Sequence, residues 1–245
     1  MFMNVIIIVL LSVLGLLLLP FLFLFICGLF VDTRKQYDRD SRFFRALLDG
    51  STTIILWCLG VRYVIIGADK FPKSGNFLFI SNHRSNYDPI IQWTVFKKYK
   101  LSFISKKENF RIPMYGRIIH RCCFMPIDRK NPRKAMETVN RAARLLTETG
   151  NSVGVYPEGK RSKECVLLPF HSGMFKIAKK AGKPVVVSTI EGTENIFRNI
   201  KHFRKTVVTI KILETIGADR VSREKPGDLS DYCAAIIKKE LEEQK

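Results

Sequence analysis

His83 and Asp88 stand five residues apart in the segment Ser81-Asn82-His83-Arg84-Ser85-Asn86-Tyr87-Asp88-Pro89. Histidine suits proton transfer near neutral pH, and an aspartate bonded to one ring nitrogen fixes the tautomer and stabilises the imidazolium that forms. The pair would serve as a general base and its orienting partner. The spacing alone is a weak signal, because Asp88-Pro89 also makes a good helix N-cap and first-turn pair with no chemistry attached. A second segment, Val155-Tyr156-Pro157-Glu158-Gly159-Lys160-Arg161-Ser162-Lys163, packs three cations around a glycine. Arg161 offers a planar fork matched to phosphate oxygens, and Gly159 permits close backbone approach, so an anion site is expected there. A solvated charged turn is the bland alternative.

Other patterns lead nowhere. Gly154 to Lys160 approaches a phosphate-binding loop, but Arg161 stands where a magnesium-binding Ser or Thr belongs, and Pro157 removes a cradle N–H. Gly150-Asn151-Ser152-Val153-Gly154 has the spelling of a nucleophile elbow, yet the order here is helix then strand, the reverse of what an elbow needs. The six cysteines form no C-x-x-C pair and read as reduced structural thiols, and the four histidines have no metal-ligand spacing, so no metal is expected. His120 and His171 read as structural.

The elements that must position the two loops alternate. Residues 76–81, 101–105, 124–127, 152–156, 184–190 and 206–213 read as strands. A helix is expected from Pro89, and another from an Asn131 N-cap with Pro132 at its first position to Gly150. Ser172 to Ala181 reads as helical up to Gly182. An amphipathic helix from Asp228 has Leu229, Cys233, Ile236, Ile237 and Leu241 on one face. The expected class is α/β: a mainly parallel central sheet flanked by helices, with ligands beyond the carboxyl ends of the strands, where both loops fall.

An N-terminal membrane-binding helical segment precedes this sheet. Phe2 to Val31 carries no charge and is long enough to span a bilayer, as one helix or as a re-entrant pair broken at Pro20. Arg34, Lys35, Arg39, Arg42 and Arg45 follow, which puts the body on the cytoplasmic face of the cell membrane. Thr53 to Gly67, interrupted by Arg62, reads as core or interfacial helix. The expected divisions are 1–31 as anchor, 32–70 as basic juxtamembrane and interfacial helical segment, and 71–245 as the α/β domain. The net charge of +19 suits an anionic membrane surface; with an anchor present, nucleic acid is not the expected partner.

Taken together these blocks resemble the glycerolipid acyltransferase superfamily. His83 to Asp88 is similar to its H-x-x-x-x-D signature, and Tyr156-Pro157-Glu158-Gly159-Lys160-Arg161-Ser162 to its F-P-E-G-T-R-S block. Lys106-Lys107-Glu108 with Pro113, Gly116 and Ile127-Asp128-Arg129 resembles the second motif, and Gly182 to Val187 the fourth. The branch it most resembles is the bacterial 1-acylglycerol-3-phosphate acyltransferases. The resemblance implies acyl transfer from a thioester of acyl carrier protein or coenzyme A to the sn-2 hydroxyl of lysophosphatidic acid, with no cofactor besides that co-substrate. It implies His83 as base, Asp88 as its partner, Arg161 and Lys106 (or Lys107) as phosphate ligands, and Glu158-Gly159 as walls of the acceptor site. Tyr156 for Phe and Lys160 for Thr depart from the pattern. Glycerol 3-phosphate or another lysolipid is the alternative acceptor, and a non-catalytic protein binding anionic lipid or nucleic acid is the alternative from another class.

Overall fold

The computed structural model describes residues 2–162 and 164–243, except the side chains at 2–5, 8–14, 16 and 17. The chain runs through α1 (Phe2–Leu29), α2 (Arg42–Cys58), β1 (Val61–Ile66), β2 (Leu78–Ser81), α3 (Tyr87–Val95), β3 (Ser102–Lys106), α4 (Tyr115–Arg121), β4 (Met125–Ile127) and α5 (Pro132–Glu148). It continues with β5 (Val153–Val155), α6 (Lys176–Ala181), β6 (Val185–Glu191), α7 (Ile196–Lys201), β7 (Thr206–Ile216), α8 (Ala218–Arg223) and α9 (Pro226–Glu243).

Seven strands join in the order β1-β7-β6-β2-β5-β3-β4. Every pairing is parallel except β6 with β7, which confirms the expected mainly parallel α/β fold. Side chains alternate between the two faces of a strand, so β2 supplies both cores. Phe77 and Phe79 enter one layer with Ile91, Trp93, Phe103 and Phe124, while Leu78 and Ile80 enter the other with Val153, Val185, Leu146 and Ile237. Covering on both faces explains why β2, β5 and β6 read as unbroken apolar runs.

Local chemistry fixes several boundaries. Asn131 accepts from the backbone N–H of Lys134 and Pro132 opens α5, as its sequence predicts. Gly182 closes α6 in the left-handed region at φ 60°, although the first turn of that expected helix, Ser172–Phe175, is 3-10. Leu229, Cys233, Ile237 and Leu241 of α9 are buried. Gly154 has no role in phosphate binding: a Cβ there would meet the Phe103 ring at 2.4 Å, so the glycine makes room for a core aromatic.

Two expectations are corrected. Residues 53–67 are not one helix: α2 ends at Cys58, Gly60 turns the chain at φ 65°, and β1 pairs with β7 from Val61↔Thr206 to Ile66↔Lys211. The sheet thus begins before residue 70, because the β-branched run Val64-Ile65-Ile66 finds a strand partner far along the chain. Arg45 is no juxtamembrane surface charge either. It is buried, pairs with Asp40 at 2.7 Å, and donates to Leu101 O, Ser102 Oγ and Cys122 O, tying α2 to the sheet. α1 is a single helix with Pro20 inside it. The span expected over 2–31 falls in large part on residues whose side chains lie outside the described set, and among the described residues no helix is long and apolar enough to cross a membrane.

Candidate active site

β2 carries the chain to Ser81 in the sheet centre, and Asn82 holds it there. Asn82 Nδ2 donates to Ile190 O at 3.0 Å and its Oδ1 accepts from Ile190 N at 2.8 Å, so the loop starts from a fixed point on β6. His83 follows, with Nδ1 2.7 Å from Asp88 Oδ2. Asp88 is fully buried. It sits in the first turn of α3, but its carboxylate does not cap that helix: Oδ2 turns back to accept from the N–H groups of Arg84 (2.7 Å) and Ser85 (2.8 Å). The helix-capping explanation of Asp88-Pro89 therefore fails. A buried carboxylate needs such donors to stay charged, and Thr193 Oγ1 supplies another at 2.5 Å to Oδ1.

Tyr156, at the end of β5, stacks on the His83 ring with centroids 4.1 Å apart and planes 13° from parallel. Its hydroxyl donates to Gln92 Oε1 at 2.7 Å. Burial first, and then the charge of Asp88, pushes that phenol well above the ordinary tyrosine range, so it stays a neutral donor. With one face covered and Nδ1 engaged, the remaining imidazole nitrogen, Nε2, is the one available to a substrate proton.

The second loop is clamped to the first. Glu158, 2% exposed, accepts from His83 N at 2.6 Å and from Leu168 N at 2.9 Å, and Ser162 N donates to His83 O at 2.8 Å. Glu158 is thus a brace between loops; its burial raises its pKa to about 7 against the lowering effect of those two N–H bonds. Gly159 turns the loop at φ 69°, where a Cβ would meet the His171 ring at 2.9 Å. Arg161 is exposed one residue before the Ser162 anchor and makes no hydrogen bond or ion pair among the described residues. At the end of β3, Lys106 is likewise exposed and unpaired among the described residues, whereas Lys107 Nζ pairs with Asp128 at 2.6 Å.

The fold thus brings His83, Asp88, Glu158 and Gly159 together and leaves Arg161 and Lys106 as free cations among the described residues. Of the other histidines, His120 bonds Lys35 O, while His171 donates its N–H to Pro157 O and its ring faces Gly159 of the second loop. Sequence reading missed Asn82, Gln92 and Thr193, and also Arg84, which is held by Glu191 (2.8 Å) and Glu194 (3.3 Å). Thr193 was findable in principle, since it follows a strand's carboxyl end.

Residues 62–191 match the protein family described as Acyltransferase. The chain is 27% identical over 169 residues to the 1-acyl-sn-glycerol-3-phosphate acyltransferase of Salmonella typhimurium, covering 69% of this chain and 68% of that one. It is 30% identical over 192 residues to the enzyme of that name from Cocos nucifera, covering 78% and 61%. Among solved structures it resembles the 1-acyl-sn-glycerophosphate (LPA) acyltransferase PlsC from Thermotoga maritima, with TM-score 0.67, 24% identity, and 91% and 87% of the two chains covered; at that identity the likeness speaks to the fold.

Proposed function

The chain belongs to the acyltransferase family, and from that premise we propose that it transfers a fatty-acyl group from an acyl thioester to the sn-2 hydroxyl of 1-acyl-glycerol 3-phosphate, giving phosphatidic acid. One observation carries the reading: a histidine whose Nδ1 is bonded to a fully buried aspartate at 2.7 Å inside the family-matched stretch, with its Nε2 free for a substrate proton.

In this reaction His83 Nε2 takes the hydroxyl proton as the acceptor oxygen attacks the thioester carbonyl carbon. The C–O ester bond forms, the C–S bond breaks, and the imidazolium returns its proton to the departing thiolate. Asp88 stabilises the imidazolium between these steps. General-base help of this kind is worth about 10² to 10⁴ in rate. Arg161 and Lys106 bind the acceptor's phosphate and hold the hydroxyl beside His83; the pairing of Lys107 with Asp128 favours Lys106 for this role. Glu158 and Gly159 shape the acceptor side of the loop. Acyl carrier protein and coenzyme A thioesters are both candidate donors.

The protein works at the cytoplasmic face of the cell membrane, with residues 1–31 as attachment and the sheet from β1 onward as the catalytic body. Supporting this, α1 carries no charge from Phe2 to Leu29, and Leu18, Leu19, Phe21, Leu22 and Phe25 are exposed along it.

The test is transfer from both thioesters to lysophosphatidic acid by the wild-type protein and His83→Ala. Transfer that falls at least about a hundredfold in a folded variant supports reaction and base together. Absence of transfer to lysophosphatidic acid from either donor sinks the named acceptor, and competition with glycerol 3-phosphate and other lysolipids then identifies the true one.

A further inference from the structure

Phe203 is fully exposed. It lies in the turn between α7 and β7 with a left-handed φ of 53°, a conformation that a bulky residue adopts only at a cost. The turn is not slack: Phe203 N donates to Ile200 O, Arg204 N to Asn199 O, and Asn199 Nδ2 to Thr206 Oγ1. Phe197, 62% exposed, lies on α7 with the Lys201 ammonium 4.5 Å from its ring centre. Arg198, Lys201, Arg204 and Lys205 are all exposed around the two rings, and no acidic residue occurs from 196 to 213.

The sheet register fixes where this turn points. β2 and β6 are parallel, and Ser81 at the end of β2, before the His83 loop, pairs with Ser188. β7 is antiparallel to β6, with Glu191 opposite Thr209, so the turn that leads into β7 at Thr206 lies at the same end of the sheet that holds His83. α1 meets the body at that end too, Gly28 lying against Met114 and Arg117 in the segment that follows β3.

We propose that the α7–β7 turn is a second membrane contact, separate from α1, that inserts Phe203 and Phe197 into the interface of an anionic bilayer while Arg198, Lys201, Arg204 and Lys205 engage lipid phosphates. This rests on the membrane-attached reading above. Aromatic rings beside clustered cations match the apolar boundary and negative charge of such a surface. With α1 as the only attachment the body could pivot; a second point on the catalytic side fixes the active-site loops toward the lipid.

The test is a Phe203→Trp variant of the full chain, made with Trp57→Phe so that the remaining native tryptophan is the buried Trp93. It is reconstituted in phosphatidylglycerol-containing vesicles carrying lipids brominated near the headgroup. Insertion predicts that the introduced tryptophan loses at least half of its emission to bromolipid and is protected from acrylamide. Acrylamide quenching as strong as that of free N-acetyltryptophanamide overturns the proposal. Because this readout needs no turnover, it stands even if the acyl acceptor has been misassigned. In a transfer assay, Phe203→Ala with Arg204→Glu and Lys205→Glu lowers the rate on vesicle-embedded acceptor by at least about fivefold, on the order of the effect of one cation at an anionic surface. The rate on detergent-dispersed acceptor stays within twofold. An equal fall in both assays, or a wild-type dimer in detergent that Phe203→Ala dissolves, refutes the membrane assignment, the latter giving the face to a second copy of the chain.

Discussion

Thr193→Val removes one hydroxyl and tests whether the dyad depends on it. Thr193 is 1% exposed, and Oδ1 of the fully buried Asp88 has no other hydrogen-bond donor among the described residues. A buried acceptor left unmet costs about 1–3 kcal/mol, which in a chain of this size lowers the melting temperature by roughly 2–12 °C. The same loss frees the carboxylate to turn away from His83, and the imidazolium then lacks its partner in the transition state. If the whole cost appears there, kcat falls roughly 5- to 150-fold at about 1.4 kcal/mol per tenfold. KM for the acceptor moves less than threefold, because Thr193 is a positioning residue that touches no substrate. Thr193→Ser, which keeps the hydroxyl, recovers kcat to within about threefold. Steady-state kinetics on all three proteins beside their melting curves separate the effects. A valine variant that melts early yet keeps full kcat refutes the reasoning, since the bond would then be structural only.

Other consequences are smaller in scope. Arg161→Ala raises the acceptor KM about tenfold or more with little change in melting, as expected for an exposed charge-assisted contact, and phosphate-bearing against phosphate-free acceptors read this directly. Lys106→Ala acts in the same direction, while Lys107→Ala, which loses only a surface pair with Asp128, leaves KM within twofold. Glu158 has its pKa raised from 4.5 to about 7, so the folded state holds its proton more tightly than the unfolded state. Its effect on stability is most favourable below about pH 4.5 and worsens as pH rises through about 7, by up to about 3 kcal/mol. Melting scans from pH 5 to 8 should show this decline in the wild type and a flatter profile in Glu158→Gln.

Much of this was legible from residue types. The Asn131-Pro132 start of α5 appears as written, and so do the continuous strand at β6 and the buried face of α9, because each rests on local chemistry or on one clear period. The loops holding His83 and Arg161 were placed correctly after strands. Strand order was not legible: β1 finds its partner 145 residues away in β7, and a helix running straight into a strand shows only one long apolar stretch. Residues 107–121, which show no strong period in sequence, fold into a 3-10 turn and α4, where Gly116 is needed because a Cβ would meet Phe110 O at 2.3 Å. The position of Thr193 after a strand marks it as a site candidate, but its pairing with Asp88, 105 residues earlier, was not legible. Nor does sequence tell a surface arginine from a buried one such as Arg45.

The two-point clamp on His83, one bond to the Glu158 carboxylate and one from the Ser162 main chain, has a consequence for selectivity. The backbones that carry His83 and Arg161 are thus tied together, so the spacing between the proposed base and the root of the proposed phosphate ligand is fixed, with the exposed Arg161 side chain reaching out from it. With the proposed roles it would measure how many bonds separate an acceptor's hydroxyl from its phosphate, independently of the acyl chain. Discrimination between headgroups should therefore persist when the acyl chain is changed. One residue inserted between Gly159 and Arg161 would widen this spacing by up to about 3.5 Å, more than a nucleophilic attack distance tolerates.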